Sequence, residues 1–164
     1  LSDFNEPILR KLRKESSLIF TPLFSVKPHV FLWRNHPLAA RTSVGLAELE
    51  SYPCISFEQG EQNSFYYSEE LLSTVEHKKS IRVTDRAALI NLMIGVNAYT
   101  IATGVFPSYL HGAEIIAVPL DADEEMRVGV VTHKDVTLSQ LGVIYLAALQ
   151  RIAAEIEKNR SESI

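Results

Sequence analysis

The sequence predicts an α/β domain in which short strands alternate with helices around a largely parallel sheet. Three observations carry this reading. Runs of β-favouring residues, such as Val30-Phe31-Leu32-Trp33 and Cys54-Ile55-Ser56-Phe57, are separated by segments long enough to hold a helix. Residues suited to caps and turns stand where strands and helices would join, at Asp85, Asn97 and Gly104. Finally, Leu138, Leu141, Tyr145, Ala148, Leu149, Ile152 and Ile156 recur at helical spacing over about five turns.

The elements follow in order. Glu6 to Glu15 reads as a short amphipathic helix with Pro7 in its first turn and Ile8, Leu9 and Leu12 as its apolar stripe. Leu18 to Phe24 and His29 to Arg34 read as extended, and Ser43 to Glu50 as one or two helical turns. Pro53 leads into a strand from Cys54 to Phe57, and the polar stretch Glu58 to Ser64, with Gly60, reads as an exposed loop at that strand's carboxyl end. A helix from about Phe65 to His77 and a strand from Ser80 to Val83 come next. Thr84 or Asp85 can cap a helix running to Ile94, because either side chain accepts from orphan N–H groups. Gly95 and Asn97 tolerate positive φ and can turn the chain into a strand from Tyr99 to Ala102. Ile115 to Leu120 and Met126 to Thr132 are further strands, joined by the acidic stretch Asp121 to Glu125, which reads as a solvated hairpin tip. The last helix starts near a Thr137 or Ser139 cap, and the polar tail from Lys158 to Ile164 is expected to fray.

Composition narrows the function. With 164 residues the chain can bury a real core, and 46% hydrophobic with 22% charged residues is ordinary for a globular protein. A net charge of −4 argues against a grip on a phosphate backbone. The one dense basic cluster, Arg10, Lys11, Arg13 and Lys14, reads as the polar side of a helix. A single cysteine, Cys54, excludes an internal disulfide and a cysteine-rich metal site, and its apolar neighbours make it a buried structural thiol. No apolar run approaches the ~18 residues that span a bilayer, and Leu1-Ser2-Asp3-Phe4 does not begin a signal peptide; a cytoplasmic location is expected.

Catalytic patterns are missing. His29, His36, His77, His111 and His133 show no metal-ligand spacing, there is no Gly-x-Ser-x-Gly elbow, and Glu69-Glu70 and Glu124-Glu125 read as solvent-facing pairs. No metal, cofactor or catalytic residue is expected. What remains is a binding cleft at the carboxyl ends of strands, where ligands sit in α/β sheets. The strand ending at Phe57 would deliver Glu58, Gln59 and Gly60 to one rim. The helix start at Thr84 and Asp85 offers free N–H groups and a positive dipole end for a carboxylate, although Asp85 as the cap would compete with an anion. Thr103 and Gly104, at the end of the strand from Tyr99 to Ala102, would form a third edge; the plainer reading makes Thr84 and Asp85 only a cap and Gly104 only a turn. One ring of Tyr66-Tyr67 would pack inward, and Trp33 would be core.

An ordered string of short blocks goes further. It comprises Asn35-His36-Pro37-Leu38-Ala39, Leu46-Ala47-Glu48-Leu49, Tyr52-Pro53-Cys54-Ile55-Ser56-Phe57, Val83-Thr84-Asp85-Arg86-Ala87-Ala88-Leu89, Gly95 to Gly104 and Ile115 to Leu120. In order and spacing it resembles the effector-binding domain of LysR-type bacterial transcriptional regulators, from about Ser25 to Ile156. The resemblance implies a periplasmic-binding-protein-like (type 2) fold, with two lobes joined by crossing strands and a coinducer held between them. The crossings would fall near Phe24 to Val30 and Val118 to Met126. Residues 1–24 would then be a remnant of the first lobe, 25–120 the second lobe, 121–157 the return crossover and last helix, and 158–164 a tail.

Two departures from the family stand out. The first-lobe opening and the DNA-reading winged helix-turn-helix have no counterpart before Leu1, so the chain reads as truncated and touches DNA only through that missing domain. The family's Gly-x-Gly turn is here Gly95-Val96-Asn97, and its following proline is replaced by Thr103-Gly104, with Pro107 further on. By the resemblance, Phe57 to Gly60, Thr84, Asp85, Thr100 and Thr103 face a small-molecule effector, of which a carboxylate-bearing metabolite is one class. The family also implies a homodimer, for which the Ser64 to Lys78 helix and a sheet edge could serve. Two other readings are a solute-binding protein of similar fold serving a transporter, and an enzyme on the same fold such as a dehydratase or deaminase. The first wants a secretion signal or a lipidated cysteine near the start, and the second wants convergent acid–base residues.

Overall fold

The computed structural model describes residues 10–11, 16–58, 77–105 and 112–161. The elements among them are β1 (Leu18–Val26), β2 (His29–Trp33), α1 (Leu46–Leu49), β3 (Cys54–Phe57), β4 (Ser80–Val83), α2 (Arg86–Val96), β5 (Thr100–Ala102), β6 (Ile115–Pro119), β7 (Met126–His133) and α3 (Gln140–Ser161). Of the expected helix from Glu6 to Glu15 only Arg10 and Lys11 are described, both helical. The expected helix from Phe65 lies outside the described residues, as do Gln59, Gly60, Tyr66, Tyr67 and Pro107. The chain divides into two compact units, Lys27–Glu124 and Leu1–Val26 with Glu125–Ile164.

The unit from Lys27 to Glu124 is built on one row of strands. β3 pairs with β4 in parallel, while β2 pairs antiparallel with both β5 and β6. A parallel bridge between Cys54 and Tyr99 joins β3 to β5, with Ile55 N–H donating to the Tyr99 carbonyl at 2.7 Å and Tyr99 N–H to the Pro53 carbonyl at 2.9 Å. The order is therefore β4-β3-β5-β2-β6, with β2 running against the other four. This corrects the expectation of largely parallel pairing: both ladders made by β2 are antiparallel. A strand that is apolar along most of its length, as His29–Trp33 is, carries no mark of its direction, so its sense is decided by its neighbours.

Side chains alternate across this sheet. Phe31, Ile55, Phe57, Val83 and Ile115 gather on one face with Met93 and Ala98, against the α2 residues Ala88, Leu89, Ile90 and Leu92. Val30, Leu32, Tyr99 and Ile101 are buried in the alternate positions. The α2 start is as expected: Asp85 Oδ1 accepts from Ala88 N–H at 2.8 Å. Its end is made by Asn97 alone, in the left-handed region at φ 52°, while Gly95 stays within the helix.

The second unit holds a two-stranded ribbon, β1 antiparallel to β7, with α3 against β1. The register slips between Pro22 and Phe24. Proline has no N–H to give the ladder, and a bulge beside it accommodates that loss. Opposite Pro22 stands Gly129, where a Cβ would come within 2.5 Å of both the Phe20 ring and the Thr21 carbonyl.

Two expectations for this unit are corrected. The inward row of α3 is Gly142, Leu146, Leu149, Ala153 and Ile156, all half-buried or buried, whereas Leu141 is 78% exposed and Tyr145 66%. The helix also continues past Lys158 to Ser161, since Glu, Lys and Arg are good helix formers and need no packing to extend a helix already nucleated. Asp121 to Glu125 is not a hairpin tip, because β6 pairs with β2 and β7 with β1. No helix among the described residues is long and apolar enough to cross a membrane.

Candidate functional site

Register places the candidate residues at one end of the sheet. Phe57 is level with Val83. Carrying the Cys54–Tyr99 bridge three residues forward sets Phe57 level with Ala102, which pairs with His29, which pairs with Pro119. The carboxyl ends of β3, β4, β5 and β6 and the amino end of β2 thus share one edge. Glu58, Thr84, Asp85, Thr103 and Gly104 follow directly from that row.

Each residue arrives with definite neighbours. Phe57 is half-buried and packs partly into the core, and Glu58 is exposed, its N–H donating to the Val83 carbonyl at 2.8 Å and its carboxylate 3.7 Å from Arg82. Thr84 and Asp85 are exposed. One oxygen of Asp85 is engaged as the α2 cap, so an anion at this helix start meets a carboxylate already there. The Thr103 hydroxyl accepts from Val105 N–H at 3.3 Å and keeps its own proton to donate. Thr100 stands apart: it pairs with Phe31, two residues inside the edge, and is only 7% exposed.

His29 is the residue that sequence reasoning missed. Gly104 has φ +72°, and a Cβ there would lie 2.4 Å from His29 Nδ1, so the glycine is a close-approach position as well as a turn. The imidazole lies across the bare backbone of Gly104. His29 Nδ1 is 2.9 Å from the Lys27 carbonyl, which can only accept, so Nδ1 carries a proton and donates it there. Its only sequence signal was a polar residue opening an otherwise apolar strand.

Two other groups are structural. His36 is buried, accepting from Leu38 N–H at Nδ1 (3.0 Å) and donating from Nε2 to the Asn97 carbonyl (3.1 Å). Burial pushes its pKa below the usual 6.5, with the Asn97 carbonyl pulling partly back. Tyr99 lies 3.2 Å from His77 Nδ1, and burial first, then Cys54, pushes its hydroxyl well above the usual tyrosine range. Cys54 itself is buried. Trp33 is half-buried, its indole N–H donating to Glu114 Oε2 at 3.2 Å. Among the described residues no group of three metal-ligating side chains comes together.

The edge of polar strand ends is the arrangement in which α/β proteins hold small molecules. The model of the LysR substrate binding domain matches residues 8–151. The chain belongs to the LysR substrate-binding domain family. No curated relative matches the sequence. Among solved structures, the effector-binding domain of QuiR in complex with shikimate is similar at a TM-score of 0.55 and 14% identity, over 91% of this chain and 78% of that one. HinK, a LysR family transcriptional regulator from Pseudomonas aeruginosa, gives 0.62 and 15% over 84% of this chain. This LysR domain spans 49% of the HinK chain, about half its length. The reduced form of OxyR gives 0.54 and 18%, over 86% of this chain and 66% of that one. The fold is therefore that of the periplasmic-binding-protein-like (type 2) LysR domains, whose role is regulatory: they bind small-molecule effectors, and this chain is such a coinducer-sensing domain of a transcriptional regulator.

Proposed function

We propose that the edge formed by Phe57, Glu58, Thr84, Asp85, Thr103 and Gly104, joined by His29, contacts a small polar effector. The single observation that carries this reading is the shared register, which brings five strand ends to one row. Gln59 and Gly60 continue the chain from Glu58 and belong to the same proposal. Thr100 contributes from beneath the edge, as packing, rather than by contact.

The effector is a small hydroxylated organic acid. Thr84, Thr103 and the His29 imidazole suit hydroxyl groups, and Lys27 and Arg86, exposed at the starts of β2 and α2, supply positive charge for a carboxylate. QuiR, which shares the fold, binds shikimate. The domain carries out no chemistry of its own, acts in the cytoplasm as a homodimer, and reaches DNA through a separate winged helix-turn-helix domain.

A thermal-shift panel of hydroxylated and plain organic acids, followed by titration calorimetry on any hit, tests the reading. A ligand at 100 times its dissociation constant stabilises the native state by about 2.7 kcal/mol. Thr103→Val and His29→Phe are expected to weaken a true effector about tenfold while leaving unliganded Tm within a few degrees. A hit whose affinity ignores both substitutions places the effector elsewhere.

A further inference from the structure

An ion pair stands at the effector edge, on the face of the sheet turned away from α2. Ile81 and Val83 pack into the cluster that faces α2, so Arg82 between them points to the opposite face. There it meets Glu58, the first residue after β3, with the charged groups 3.7 Å apart and the Arg82 and Glu58 side chains 65% and 40% exposed. That gap is too long for a hydrogen bond, and an exposed pair held by Coulomb attraction alone is weak. Among the described residues Glu58 is the one acid paired with Arg82. The main chain of Glu58 does not depend on the pair, because its N–H donates to the Val83 carbonyl at 2.8 Å. Its carboxylate can therefore turn away by side-chain rotation while the edge keeps its shape.

Strand order gives the pair its meaning. β3 lies between β4, which carries Arg82, and β5, which delivers Thr103. Neighbouring strands are about 4.8 Å apart, so Arg82 and Thr103 stem from backbones about 10 Å apart, with Glu58 rising from the strand between them. A six-carbon hydroxy acid laid along this edge, hydroxyl toward Thr103, brings its carboxylate to the place that Glu58 holds. We infer that Glu58 is a stand-in for the effector's carboxylate: it occupies Arg82 until an anionic effector takes its place. The inference rests on the effector reading above and adds what selects the ligand there. The Arg82 guanidinium offers a planar fork that grips a free carboxylate through two parallel hydrogen bonds. Glu58, tethered to β3, approaches it only to 3.7 Å. An anion therefore makes contacts that Glu58 does not, whereas a neutral amide of the same shape leaves the pair closed. Glu58 sets the threshold that a ligand must pass, and Arg82 sets the charge it must carry.

The test is an NMR titration of the full chain with gluconate and with gluconamide, its neutral counterpart, at 150 mM salt. Four proteins are compared: wild type, Glu58→Gln, Arg82→Gln and the double variant. Both positions are exposed, so all four are expected to share one Tm. Glu58→Gln is expected to bind gluconate about threefold tighter and gluconamide unchanged, and Arg82→Gln to bind gluconate about fivefold more weakly. In the Arg82→Gln background the benefit of Glu58→Gln is expected to disappear, because Glu58 then has nothing to occupy. An equal benefit in both backgrounds is plain charge repulsion and overturns the inference. So does a Glu58→Gln protein that binds gluconate no better than wild type, or not at all at 20 mM. Gluconate binding that depends on Thr103 but not on Arg82 leaves the edge as the effector site and removes the exchange alone. Binding indifferent to Thr103→Val, His29→Phe and Arg82→Gln alike counts against the edge itself.

Discussion

His36 shows how one side chain can tie two turns together. Its ring accepts from the chain just after it and donates to Asn97, 61 residues on, at the turn that ends α2. Asn97 holds φ 52° there, a conformation that non-glycine residues enter at some cost, so the bond fixes a turn that is not otherwise favoured. The arrangement needs a neutral imidazole, because a protonated ring cannot accept from Leu38. Burial depresses the pKa of His36, and also of half-buried His77, below 6.5. The sign follows directly. Above pH 6.5 both folded and unfolded chains carry neutral rings and these groups contribute no pH dependence. Below 6.5 the unfolded chain takes up protons first, so stability falls with pH until the folded-state pKa is passed. Urea midpoints are expected to be level between pH 8 and 7 and to decline toward pH 5. In His36→Asn, which keeps an acceptor near Leu38 and removes the titrating ring, the decline is expected to be shallower; an equally steep one would assign it to other groups.

At the scale of elements, burial separates residues that periodicity groups together. Met93 on α2 and Leu141 on α3 both fall on helical apolar spacing, yet Met93 is 0% exposed and Leu141 78%. Met93→Ala is expected to cost about 2–5 kcal/mol in chemical denaturation, since it opens a cavity in the cluster with Ile55, Val83 and Ile115. Leu141→Ala is expected to stay within about 0.5 kcal/mol in the monomer. Equal losses would mean that α3 packs by its other flank. Gly129 makes the matching case on a strand: its bare backbone lets Phe20 lie across the ribbon, so Gly129→Ala is expected to destabilise by about 1–3 kcal/mol through overpacking.

For the whole molecule, charge decides one property at once. A net charge of −4 opposes association with a polyanion, and fluorescence anisotropy at 150 mM salt is expected to show no DNA binding below about 100 µM. Much of the fold was legible in advance. The strands Cys54–Phe57 and Ser80–Val83 and the Asp85 cap came directly from apolar runs and capping chemistry, and they stand as expected. The polar strand ends were legible too, because a run of β-formers that stops at Glu58 or Thr103 announces where the sheet edge lies. His29 was not, because nothing local says that the open side of Gly104 is filled from a strand 75 residues away.

That division has a physical cause. Secondary structure, caps and composition depend on residues within one or two turns of each other, so the sequence by itself determined the element types, the Asn97 turn and membership in a family of sensing domains. Which flank of α3 faces inward, which way β2 runs, and which imidazole rests on Gly104 depend on surfaces brought together from opposite ends of the chain. Those were decided only by the tertiary structure, where burial and backbone pairing choose among alternatives that local pattern leaves equal.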